Sequence, residues 1–203
     1  MKPLRQITSI AIPLIRNNID TDCIIPSREM KSVSKHGLSE GLFAGWRYTE
    51  IGGRTPQPDF VLNDPAFADA QILLAGENMG CGSSREHAAW ALSEYGIRVV
   101  IAPSFNPIFR GNCVRNGILP IQLKPQPLAE STGPLTVDLE ACCISNEAGE
   151  TWTFTLDDEA RTMLLEGLDP IDITLKMLEE IESFRTHDAE SRPWIYLGKA
   201  SLT

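Results

Sequence analysis

A chain of 203 residues and 22.4 kDa, 42% hydrophobic, can bury one sizeable core and needs neither disulfides nor a structural metal to fold. Its 18 basic residues against 27 acidic ones leave a net charge of −9 with no Lys/Arg cluster, which argues against a phosphate-neutralising nucleic-acid surface. No run approaches the ~18 apolar residues of a membrane span, and Met1-Lys2-Pro3-Leu4-Arg5-Gln6 leads into no secretory apolar segment, so the cytoplasm is the expected compartment.

Residues 7–14 place Ile10, Ile12 and Leu14 at period two and predict a strand, with Pro13 tolerated near an edge. Residues 17–22 read as a polar turn. From 27 to about 58, Gly37, Gly41, Gly45, Gly52 and Gly53 interrupt any long helix, which predicts a long loop with short helical pieces. Loops of this length are commonly functional or disordered. Residues 71–75 and 97–102 are apolar runs that predict buried strands. Between them residues 85–95 are helix-forming, with Ser83 or Ser84 as N-cap and Gly96 as stop, so the whole is a βαβ unit.

A further strand is predicted at 118–123. Residues 135–139 and 151–156 alternate apolar and polar side chains around a turn at Ala148-Gly149, as a half-exposed antiparallel pair does. Two helices follow. The last, with Asp169 as cap and Pro170 in its first turn, carries Ile171, Leu175, Leu178 and Ile181 on one face and is expected to pack on the sheet. The expected fold class is α/β: one domain over 1–182, a mixed sheet flanked by helices, with 27–58 a mobile loop inside it. Residues 183–203 form a mostly polar C-terminal tail, Trp194, Ile195, Tyr196 and Leu197 excepted.

Five cysteines, odd in number and without a C-x-x-C pair, read as reduced thiols. Three histidines far apart in sequence give no metal-ligand spacing, so no metal site is expected on this chain.

The segment Gly76-Glu77-Asn78-Met79-Gly80-Cys81-Gly82-Ser83-Ser84-Arg85-Glu86-His87 lies where a strand meets a helix. Helix N-termini attract anions, and Gly80, Cys81 and Gly82 form a turn whose glycines admit close backbone approach. No Gly-Lys-Ser/Thr follows, and Arg85 stands where a dinucleotide fingerprint has its third glycine, which disfavours nucleotide phosphate. An arginine here suits a carboxylate, whose planar geometry the guanidinium matches. A plain capping box of Ser83 with Glu86 would explain the same residues without any ligand.

Residues 80–92 of this string closely resemble the signature of the small subunits of 3-isopropylmalate dehydratase, within the family of aconitase swivelling domains. Asn18-Ile19-Asp20-Thr21-Asp22 with Ile24-Ile25-Pro26, Gly41-Leu42-Phe43 with Trp46-Arg47-Tyr48, and Ser104-Phe105 through Asn116-Gly117-Ile118-Leu119-Pro120-Ile121 agree with the family's other motifs in order and spacing. The resemblance covers nearly the whole chain. It implies a β/β/α swivelling domain, with Ser83 as the catalytic base that exchanges the proton beside a carboxylate. It further implies Ser84 and Arg85 as substrate-carboxylate ligands, Asp22 in a supporting substrate-site role, and Met30 near the substrate's variable substituent.

The implied reaction is isomerisation of 2- and 3-isopropylmalate by dehydration and rehydration, in leucine biosynthesis. A [4Fe-4S] cluster is expected in a separate large-subunit partner, with none bound by this chain. Relatives acting on 2-methylmalate with citraconate or on homoaconitate, and a non-catalytic small-anion module, are the alternatives. The departures are Glu29-Met30 and Lys35, where the family commonly carries an apolar aromatic-aliphatic pair and an arginine. Glu29 therefore points either to solvent or to a different substituent. Cys23 and Met79 are milder departures.

Overall fold

The computed structural model describes residues 1–30 and 34–196, and the chain divides into two compact units, Met1–Gly167 and Leu168–Thr203. The first unit holds two four-stranded sheets. One is antiparallel, with β1 (Gln6–Ser9), β6 (Leu135–Asp138), β7 (Cys143–Asn146) and β8 (Thr151–Thr153) in that order. The other is parallel, with β2 (Ala11–Leu14), β3 (Ile72–Ala75), β4 (Val99–Ala102) and β5 (Leu119–Gln122) in sequence order. The class is α/β as expected, with the two kinds of pairing segregated into separate sheets.

The single strand expected over 7–14 is two strands. Ser9 makes the break: its hydroxyl donates to the Ile10 carbonyl (2.9 Å) and accepts from the Gln71 N–H (2.8 Å), so polar groups are satisfied where the chain changes sheets. Ile10, expected on the apolar face, is exposed. Pro13 lies on β2, an edge strand, where its missing N–H costs no ladder bond. β3 and β4 are buried along their whole length, as inner parallel strands covered on both faces are.

Residues 135–139 and 151–156 do not pair with each other. β7 lies between them, and the Ala148-Gly149 turn joins β7 to β8. The turn from β6 to β7 left no glycine signal because Cys142 takes the left-handed conformation there, at φ 52°.

The helices in chain order are α1 (Thr21–Ile24), α2 (Ala44–Arg47), α3 (His87–Tyr95), α4 (Pro107–Arg115), α5 (Gln126–Ala129), α6 (Asp158–Glu166), α7 (Pro170–Leu175) and α8 (Leu178–Ser191). Gly96 ends α3 in the left-handed region, as expected. The core packs Ala88, Ala89, Ala91 and Leu92 of α3 with Leu73, Val100, Phe109 and Cys113.

The expected long loop does consist of short helical pieces, yet Leu38, Leu42, Phe43 and Ala44 are buried. Its residues 31–33 lie outside the described ones. Much of the segment is therefore core, so the mobility expected for 27–58 as a whole would require vacating that core.

The second unit contains α7, α8 and a short turn at Pro193–Tyr196. Asp169 and Asp172 form a reciprocal capping box at the start of α7. Among the described residues three helices follow β8 instead of two, because the expected final helix is interrupted at Lys176 and Met177, where no Gly or Pro announces it. Within this unit Ile171, Leu175 and Leu178 are exposed. The division after Gly167 falls ahead of the boundary at 182 read from composition, and residues of the tail up to Ser191 are helical.

Candidate active site

Three loops converge on the turn that follows β3. Asn18 N–H donates to the Glu77 carbonyl (2.8 Å), Gly80 N–H to Ile19 (2.7 Å), and Thr21 N–H to Cys81 (2.9 Å), so the 18–22 motif runs alongside 77–81. On the other side Met79 N–H donates to Ser104 (3.0 Å) and Asn106 N–H to Met79 (2.9 Å). Asp20 caps α1 through the Cys23 N–H (2.6 Å), and Asn106 caps α4 through the Ile108 and Phe109 N–H groups (3.0 and 3.3 Å). Three of the four quoted motifs thus meet at this turn.

Two glycines make the turn possible. Gly80 and Gly82 lie in the left-handed region at φ 75° and 90°. A Cβ on Gly80 would stand 2.0 Å from Cγ of Phe109, whose ring closes the turn from below.

Past the turn, Ser83 and Ser84 are exposed, and no described residue bonds either hydroxyl. The Ser83 carbonyl accepts from the Thr21 hydroxyl (2.9 Å), which fixes the backbone and leaves the side chain available. Neither serine is the N-cap: α3 begins at His87, Glu86 occupies the cap position, and no side chain caps it. The Glu86 carboxylate accepts from Asn116 Nδ2 instead (2.9 Å), a bond that holds it below the usual carboxylate range. The capping-box explanation is therefore overturned. The Gly80–Gly82 turn also precedes the helix rather than forming its first turn, so the N–H groups nearest the helix start belong to residues after Ser84.

Arg85 pairs with the Asp22 carboxylate, and its Nη1 also donates to Ser27 Oγ (3.0 Å). Ser27 in turn reaches Asp22 Oδ1 (3.4 Å). Both contacts use Nη1, so the Nε–Nη2 edge remains for a planar anion. Asp22 thus engages the guanidinium and Ser27, and neither Ser83 nor Ser84.

Beside this pair opens a cleft of about 420 Å³, lined in part by Asp22, Ser27, Arg28, Gly45 and Trp46. Met30 is half-buried against the core. Glu29 faces neither solvent nor the cleft. It is buried, with Oε2 2.7 Å from Arg54 Nη2 and Oε1 3.5 Å from Arg28 Nε. Charge at this position is a packing solution and carries no signal about substrate.

His87 packs against Trp90 with ring centroids 4.5 Å apart and planes tilted by 51°, and Arg110 reaches Asp157 at 3.4 Å. Burial, then Asp20, pushes the Cys81 thiol up, and the same causes raise Cys23 to about 11. Burial raises Cys113 further. An iron-sulfur cluster needs several cysteine thiolates brought together around it. Among the described residues, no group of three or more His, Cys, Asp or Glu side chains is placed to bind a metal. Sequence reasoning missed Thr21, Ser27 and Trp46 as site-builders, although all three sit inside or next to the quoted motifs.

The aconitase C-terminal domain family matches residues 1–126. The small subunit of 3-isopropylmalate dehydratase from Cupriavidus necator is 55% identical over 205 residues, covering 97% of this chain and 99% of the relative. The chain belongs to the family of 3-isopropylmalate dehydratase small subunits. The Agrobacterium fabrum member is 47% identical over 96% of this chain and 100% of its own length. A crystal structure of 3-isopropylmalate dehydratase from Methanocaldococcus jannaschii superposes with TM-score 0.66 at 26% identity, covering 89% of this chain and 99% of the other.

Proposed function

We propose that this chain is the small subunit of a hydro-lyase that isomerises 2- and 3-isopropylmalate in leucine biosynthesis, working in the cytoplasm with a large-subunit partner. The observation that carries the site reading is the pair of unengaged serine hydroxyls beside an arginine whose orientation is fixed by Asp22 and Ser27.

In this reading Ser83 takes the proton from the carbon next to a carboxylate and returns it on the opposite limb of the reaction. A serine hydroxyl is a poor base in water; an alkoxide needs fixed donors and a site from which water is excluded. The chain supplies the donors through backbone N–H groups beyond Ser84 and through Arg85. It does not supply the exclusion, because Ser83 is exposed on its surface. A second chain must cover it, which supports a subunit that acts only in a complex.

Arg85 through its Nε–Nη2 edge, with Ser84, holds the substrate carboxylate, and the Gly80–Gly82 turn sets their spacing. Asp22 keeps the guanidinium aimed, and Met30 stands at the substituent end. The residues here do not suit a [4Fe-4S] cluster, so we assign the cluster and its Lewis-acid chemistry to the partner. With Glu29 removed from the pocket, the case for a substituent other than isopropyl loses its main support.

The test is to combine the chain with the large subunit and follow interconversion of the two isopropylmalates, with 2-methylmalate as competitor. Isopropylmalate should be turned over with the higher kcat/KM. A complex that forms and converts neither would refute the reading.

A further inference from the structure

Glu94, in the last turn of α3, carries an arrangement that the reaction chemistry does not require. Its Oε1 accepts the Gly37 N–H (2.6 Å), and its Oε2 accepts those of Leu38 (2.5 Å) and Ser39 (2.8 Å). Burial works to raise this carboxyl, and the three N–H donors outweigh it and hold the group below the usual range. One side chain thus fixes three successive residues of the segment that returns toward the cleft.

The consequence propagates through packed residues. Leu38 is buried at 1% exposure, and the Ser39 carbonyl accepts from Arg47 Nη1 (2.9 Å). Phe43 follows with φ 51°, a left-handed conformation that bulky residues adopt only where the surroundings impose it. Its N–H donates to Ile24 (2.7 Å), and its ring stacks on Trp46 with centroids 5.7 Å apart. Trp46 and Gly45 line the cleft. The nine-residue helix α3, about 13 Å long, therefore follows the Ser83–Arg85 turn at one end and at the other holds the 37–39 segment that leads into the cleft wall.

We infer that Glu94 is a positioning residue: it sets the distance between the Trp46 wall and the Ser83–Arg85 turn, and so the fit of the substrate's apolar substituent. The inference rests on the reading of this cleft as the substrate's seat.

The test uses Glu94→Ala and the milder Glu94→Gln, which keeps one acceptor oxygen, in the full chain combined with the large subunit. Glu94→Ala should raise KM for 3-isopropylmalate about tenfold, with kcat changed less than about threefold, and should shrink the preference over 2-methylmalate; Glu94→Gln should fall between it and the parent. In the isolated chain, amide exchange at residues 44–46, beyond the directly bonded amides, should speed up about tenfold. A lowered Tm with KM, substrate preference and exchange at 44–46 all unchanged would make Glu94 merely structural and overturn the inference. If the parent complex turned over no malate, the functional reading would fail, while exchange at 44–46 would still decide the positioning claim.

Discussion

Replacing Gly80 by alanine separates two physical demands that the turn after β3 makes on one residue. The backbone stands at φ 75°, where an L side chain costs about 1–2 kcal/mol. The added methyl would also meet Cγ, Cδ1 and Cβ of Phe109 at 2.0, 2.2 and 2.5 Å. Phe109 is 2% exposed and part of the core, so relieving that overlap means repacking, at about 1–3 kcal/mol. The sum is about 2–5 kcal/mol of lost stability.

Gly37→Ala supplies the control, because Gly37 has φ 85° with nothing within 4 Å of the new Cβ, so only the backbone cost of about 1–2 kcal/mol applies. Urea unfolding of the parent, both single variants, Phe109→Leu and the double variant Gly80→Ala/Phe109→Leu reads the terms directly. Gly80→Ala should lose more than Gly37→Ala, and Phe109→Leu should recover part of the difference. Equal losses for the two glycines, with no recovery in the double variant, would mean that Phe109 does not press on the turn.

Glu29→Phe should leave the kcat/KM ratio between isopropyl and methyl substrates unchanged, because Glu29 faces Arg54 and Arg28 instead of the cleft. Its stability should fall by about 1–2 kcal/mol, less than for a fully buried pair because the Arg54 side chain is 40% exposed. A shifted ratio would return Glu29 to the pocket. Cys23, raised to about 11, is almost all thiol at neutral pH. Its alkylation, read by peptide mass spectrometry, should therefore climb about tenfold per pH unit from 8 to 10, without a plateau near 8.5.

Part of the fold and of the candidate site was legible. The turn after β3 was readable because Gly80 and Gly82 stand at positive φ, where glycine is favoured. The inner strands were legible because burial on both faces leaves only apolar residues, as in Ile72–Ala75 and Val99–Ala102. What stayed hidden was set by interactions distant in sequence. The β1–β2 break depends on Ser9 bonding Gln71, and β7 hides behind a turn in which Cys142 stands where glycine is usual. Glu29 looked anomalous only because Arg54, its partner, is 25 residues away. The serine caps failed for a similar reason, since Asn116 draws Glu86 away from them.

The most direct test of the central claim is proton exchange at the carbon beside the substrate carboxylate, measured in deuterated water with the reconstituted complex and compared for Ser83→Ala, Ser84→Ala and the parent. Ser83→Ala should lose exchange and turnover together by about 10²–10⁴-fold, while its unfolding midpoint stays close to the parent because the hydroxyl bonds none of the described residues. Ser84→Ala should act mainly on KM. Near-normal exchange in Ser83→Ala, with the loss appearing in Ser84→Ala or in neither, would contradict the assignment of the base.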